Sequence, residues 1–99
     1  MTVFLIVVAK VPNEIKDDFD EWYEKSHLPE AHYNFKSIVA FRGWVNNDEH
    51  HAFYQFKDIT TAKKVLKSVE LQMMINKFDN KWIGKVIRSR ELMKIIQKI

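Results

Sequence analysis

The 99-residue chain has no cysteine, which removes disulfides, thiolate nucleophiles and cysteine-based zinc or iron–sulfur sites together. Glycine and proline are scarce, two of each, so long loops, fibrous repeats and low-complexity segments are not expected. The opening apolar run, Val3 to Ala9, is far shorter than the ~20 residues of a membrane span and has no basic flank before it. It reads as a strand, no membrane partner is expected, and a cytoplasmic location is the default. Nothing resembles a Gly-x-Ser-x-Gly nucleophile elbow or a phosphate-binding loop. With 46% hydrophobic and 29% charged residues, the remaining class is an ordered globule, expected to be a single domain over residues 1–99.

The formal charge of +3 hides an asymmetry, because seven acidic residues fall between Glu14 and Glu30 while the stretch after Lys57 is basic. A basic half can serve an anionic partner, but without clustering on one face it describes a solvated surface.

Thr2 to Lys10 is apolar and β-branched, as in a strand buried on both faces, and Val11-Pro12-Asn13 stops it. Asn13 is a candidate N-cap, and Ile15, Phe19, Trp22, Tyr23 and Ser26/His27 recur at helical spacing, which predicts a helix over residues 14–26. Pro29 predicts a break there, with a short helical restart through Tyr33 and His27 at a helix end. Residues 37–45 and 50–56 are strand-like around the turn cluster Asn46-Asn47-Asp48, an antiparallel hairpin. Asp58 or Thr60 caps a second helix with apolar positions Ile59, Ala62, Val65, Leu66 and Val69. A further helical piece carries Leu71, Met74, Ile75, Phe78 and Trp82, and residues 84–93 form the last strand before an apolar-basic tail.

This order predicts an α+β fold of ferredoxin-like βαββαβ topology, a four-stranded antiparallel sheet with helices on one face. Both registers of the strands carry large apolar groups: Ile38, Ala40 and Trp44 alternate with Val39, Phe41 and Val45, and Ala52, Tyr54 and Phe56 with Phe53. An isolated sheet exposes one such face, a larger apolar patch than a soluble monomer tolerates. The expected partner is a second copy of the chain.

The segment Phe19-Asp-Glu-Trp22-Tyr23-Glu-Lys-Ser-His27-Leu-Pro29-Glu30 resembles the aromatic-x-x-Trp-Tyr-x-x-x-His-x-Pro-Glu signature of EthD-like members of the dimeric α/β barrel superfamily. Phe78-Asp-Asn-Lys-Trp82 with Val86-x-Arg88-x-Arg90 and Met93 resembles their closing helix and last strand. One departure is Asn34-Phe35-Lys36-Ser37, where these proteins commonly carry Pro-Gly. The resemblance implies a homodimer whose open sheet faces close into a dimeric α/β barrel, with a small-molecule pocket between each sheet and its own helices. Its members include cofactor-independent monooxygenases, polyketide cyclases and isomerases, and also proteins with no known reaction.

His27 is the sharpest chemical candidate, an imidazole one helical turn from Tyr23 on the face carrying Phe19. It suits proton transfer on an aromatic or polyketide-like ligand, with Tyr23 as its neighbour and orienter. The competing reading is structural, a bond to a backbone carbonyl where the helix breaks. Trp22, Trp44 and Tyr54 are candidate pocket walls, and equally candidate core or interface. Arg42, in register with Ala40 and Trp44, faces inward and requires either an anionic ligand or a carboxylate such as Glu30, Asp48 or Glu91. Arg88 and Arg90 pose the same question on the last strand. His50 and His51 point to opposite faces of one strand and His32 lies across a proline from His27, so neither a metal site nor an organic cofactor is expected.

Two other classes compete. A non-catalytic binding or assembly module of the same fold would carry the same sequence features. An RNA-recognition module shares the topology, but its strand-three pattern fits Glu49-His50-His51-Ala52-Phe53-Tyr54-Gln55-Phe56 only in the last four positions, so no nucleic-acid partner is expected.

Overall fold

The structure, a computed structural model, describes residues 2–99. Strands β1 (Val3–Lys10), β2 (Ala40–Val45), β3 (Glu49–Phe56) and β4 (Ile87–Lys94) form one antiparallel sheet in the order β2-β3-β1-β4. Strict alternation sorts its side chains. Val3, Leu5, Ala9, Ala52, Tyr54 and Phe56 are buried beneath the helices. Phe4, Phe41 and Phe53 stand on the opposite face, where Phe41 stacks on Phe53 at 4.9 Å and Phe4 meets both edge-on at 5.9 and 6.3 Å. The pairs Ala40↔Tyr54, Arg42↔Ala52 and Trp44↔His50 fix the β2 register and put Arg42 and Trp44 on the helix side.

The first helical arm is continuous where a break was expected. A 3-10 turn at Asn13–Ile15 leads into α1 (Lys16–Trp22), a π turn at Tyr23–His27 and α2 (Leu28–Phe35), which ends at Lys36 in the left-handed conformation, φ 54°. Pro29 is the second residue of α2 and follows the π turn directly. The π turn eases the conflict, because widening the helix by one residue relieves the crowding a proline ring imposes on the preceding turn.

Helices α3 (Ile59–Leu66) and α4 (Val69–Lys81) follow β3. Asp58 accepts the Thr61 N–H at 2.8 Å, and Ser68 accepts that of Leu71 at 3.1 Å. Two strand starts differ from expectation. Residues 38 and 39 still bond to Gln55 through their backbone, but regular pairing begins only at Ala40. Gly84 takes φ +64° in a turn, so β4 starts at Ile87.

The core is built around Phe19, fully buried, whose ring meets Tyr23, Trp44, His50, Phe78 and Trp82 at 5.2 to 5.9 Å. Because α3 and α4 are separately capped, Ser68→Ala is expected to leave the fold intact and lower stability by about 1 kcal/mol. A urea titration followed by circular dichroism measures this, and an unchanged midpoint would show that the cap contributes nothing.

Candidate functional site: a cleft between the sheet and the helices

Tyr23 and His27 open and close the π turn four residues apart, and both stand on one wall. The Leu28 N–H donates to the Tyr23 carbonyl five residues back, so the turn is one residue wider than an α turn. Tyr23 and His27 both point into the core, with ring centroids 4.9 Å apart and edge to face. Such π turns are uncommon and recur at functional sites.

His27 is 6% exposed and stacks on Trp22 at 4.4 Å and 21°. Phe78 closes in edge-on at 5.7 Å. Among the described residues its Nδ1 is fully buried and has no hydrogen-bond partner. The backbone carbonyl that a structural histidine would have taken is therefore not bonded to that nitrogen. Burial, reinforced by the positive charges of Arg88 and Lys77, pushes its pKa down to about 3. The ring is neutral at physiological pH.

Tyr23 and Tyr54 are both buried and reach the same space from helix and sheet. Burial pushes Tyr23 up to about 12 and Tyr54 well above its ordinary value. Both therefore stay protonated and can donate.

These three residues line a cleft with Val7, Phe35, Leu71, Met74, Ile75, Phe78, Arg88 and Arg90. Its cavity volume is only about 20 Å³, room for about one water molecule. A ligand must therefore displace side chains, and Met74 is the most adaptable of them. The α4 residues were legible as an apolar helical stripe but not as a cleft wall.

The remaining expected site residues stand elsewhere. Trp22 lies behind His27 and lines an outer groove with Glu21, Lys25 and Trp82. Arg42 and Trp44 form a cluster with Asp20, whose Oδ1 accepts from Arg42 Nη1 at 2.9 Å and from Trp44 Nε1 at 2.8 Å. Arg42 also donates to the Asp20 backbone carbonyl at 3.2 Å and lies 3.2 Å from His50 Nε2. The carboxylate for Arg42 is thus Asp20, not Glu30, Asp48 or Glu91, because α1 brings Asp20 within bonding distance of β2. The hydrogen bonds from Arg42 and Trp44 hold Asp20 below the usual carboxylate range. His32 pairs with Ser37 at 2.6 Å and His51 with Glu49 at 2.7 Å. Among the described residues no three His, Asp or Glu side chains converge as a metal site would need.

His50 shares the state of His27, with burial and the Arg42 charge lowering its pKa to about 4. Both folded-state values lie below the unfolded value near 6.5. Stability is therefore full above about pH 6.5 and falls as pH drops toward the folded pKa values, by about 1.4 kcal/mol per pH unit for each histidine. Urea unfolding at pH 7.5 and pH 5 should show the loss, and His27→Gln should halve it. Equal stability at the two pH values would mean that neither imidazole is held neutral.

No family model matches the chain, and no curated protein matches it. Solved structures do. An ethyl tert-butyl ether D (EthD) family protein from Bacillus halodurans superposes with a TM-score of 0.77 at 17% identity, covering 97% of this chain and 100% of that one. SnoaB, a cofactor-independent oxygenase from Streptomyces nogalater, gives 0.70 at 10% identity over 99% and 96%. A dimeric ferredoxin-like protein from an uncultured marine organism gives 0.67 at 12% over 99% and 98%. At these identities the likeness is one of fold, and that fold is the ferredoxin-like α+β fold.

Proposed function

We propose that the chain, acting as one domain, is a homodimeric, cofactor-independent small-molecule enzyme or ligand-binding protein of the EthD-like kind. Its ligand is aromatic or polyketide-like and enters the cleft beside His27. The observation that carries this reading is the imidazole itself, a neutral ring packed among aromatic rings at a cleft wall with a buried, unpartnered nitrogen. Buried polar atoms are rarely left unpaired, and a catalytic role is one reason for an exception; among the described residues the other such side-chain atom is Trp82 Nε1.

A neutral imidazole accepts a proton, and the Tyr23 and Tyr54 hydroxyls donate to the oxygen on which charge then develops. This pairing suits cyclase, isomerase or monooxygenase-type chemistry that begins with an acidic C–H or O–H. Trp22 holds the ring from behind. Arg42 and Trp44 secure α1 to β2, so they support the site from outside the cleft. The fold is shared with SnoaB, a cofactor-independent oxygenase, which makes chemistry without a metal compatible with this architecture. A cytoplasmic location belongs to the same reading.

Homodimerisation is supported by the open sheet face, where Phe41, Val45 and Met93 are each more than two-fifths exposed beside Phe4 and Phe53. The face carries Glu49 and Glu91 as well, and Lys10 at its edge pairs with Asp48. Charge of that sign suits another protein surface and not a phosphate backbone. Light scattering is expected to give about twice the chain mass of 11.9 kDa, and Phe53→Glu to give a folded monomer. A wild-type monomer at micromolar concentration would overturn the dimer.

The non-catalytic alternative draws on the tightness of the cleft. Screening aromatic and polyketide-like compounds by thermal shift, followed by turnover assays on the hits, separates the two. His27→Ala is expected to cut turnover about 10²- to 10⁴-fold with dimer mass unchanged, whereas full activity in that variant would remove His27 from the chemistry.

A further inference from the structure

The cleft has a charge imbalance at its β4 end. Arg88 and Arg90 occupy positions two apart on β4 and both line the cleft. Arg88 is satisfied, since Nη2 donates to Asp79 Oδ1 at 2.9 Å and the guanidinium lies 4.0 Å over the Phe78 ring. Arg90 is half-buried, and among the described residues it has no ion pair and no side-chain hydrogen bond. Its cross-strand neighbour is Val7 and that of Arg88 is Ala9, so β1 supplies no countercharge. Because β4 is an edge strand, no further strand lies beyond it to supply one.

The polar groups facing this space are nearly all donors: two guanidinium groups and two phenols that stay protonated. The nearby carboxylate, Asp79, is already bonded to Arg88 and is 62% exposed. A half-desolvated guanidinium with no partner is unfavourable unless an anion reaches it, and its planar fork matches a planar oxyanion. The other walls, from Val7, Phe35, Leu71, Met74 and Phe78, are apolar and suit a ring.

We infer that the ligand of this cleft is an acidic, ring-bearing small molecule whose planar oxyanion, a carboxylate or an enolate, is bound by Arg90 beside the Tyr23 and Tyr54 hydroxyls. The inference rests on the cleft reading above and adds the charge of the ligand. It has a consequence for His27, because an anion beside Arg88 and Arg90 offsets part of the positive field on that ring and makes it a stronger base in the complex than in the free protein.

Calorimetric titration of the dimeric protein at pH 7.5 tests this with three probes: benzoate as a carboxylate, dimedone as an ionised enolate, and benzamide as a neutral ring of similar shape. At least one anion is expected to bind ten-fold or more tighter than benzamide, and the stronger of the two identifies the kind of oxyanion. Arg90→Gln is expected to weaken that anion ten-fold or more and leave benzamide unchanged, one charge-assisted bond having been lost. Equal affinities for anions and benzamide in the wild type would overturn the inference while leaving the cleft reading standing. So would anion binding that survives Arg90→Gln. Binding of none of the three would overturn both. The wild-type comparison needs no variant, so it decides the matter even if Arg90→Gln fails to fold.

Discussion

The attachment of the first helical arm to the sheet governs everything else, and it rests on two adjacent residues. Phe19 supplies the apolar half, a fully buried ring wedged among aromatic groups from α1, β2, β3 and α4. Asp20 supplies the polar half, with one oxygen holding both Arg42 and Trp44 of β2. The apolar contacts provide most of the free energy. The charged bonds add direction, fixing where along β2 the helix lies and how it is rotated. Had Arg42 no such carboxylate, a largely buried guanidinium would weigh against the same packing.

Once α1 is seated, the π turn sets how α2 follows it. An α turn in its place would rotate the following residues by about a quarter turn, since one residue subtends 100°, and would carry Leu28 and all of α2 round with them. Tyr23 and His27, four residues apart, share a face in either geometry, so what the extra residue sets is the rotation of α2. The turn also eases the conflict raised by Pro29, which follows it directly. The burial that results keeps the imidazole uncharged and the phenols protonated. The cleft therefore presents an acceptor and one donor from the helical arm and a second donor from the sheet.

Most of the fold was legible because its strands obey the period of two. In β3 the alternation of His50, Ala52, Tyr54 and Phe56 with Glu49, His51, Phe53 and Gln55 is complete, which also settled that the neighbouring histidines face opposite ways. The helix around Pro29 was not legible, since local sequence shows the proline's conflict but not the widened turn that absorbs it. The partner of Arg42 was missed for a related reason. Asp20 sits among several acids at a helix start, where each looks like a dipole-compensating surface charge. Its place between Phe19 and Tyr23 on the inward face was the available signal. The cleft itself could not be read, because Leu71, Met74 and Phe78 have the spacing of any core stripe and only tertiary packing makes them a wall.

The central claim is that His27 is a neutral, buried imidazole facing a cleft. Long-range ¹H–¹⁵N correlation of the histidine side chains, recorded from pH 8 down to pH 4.5, tests it directly. The two His27 nitrogens are expected to keep the shifts of a single neutral tautomer across the whole range. A His27 resonance that titrates near pH 6.5, as a solvated imidazole does, would contradict it.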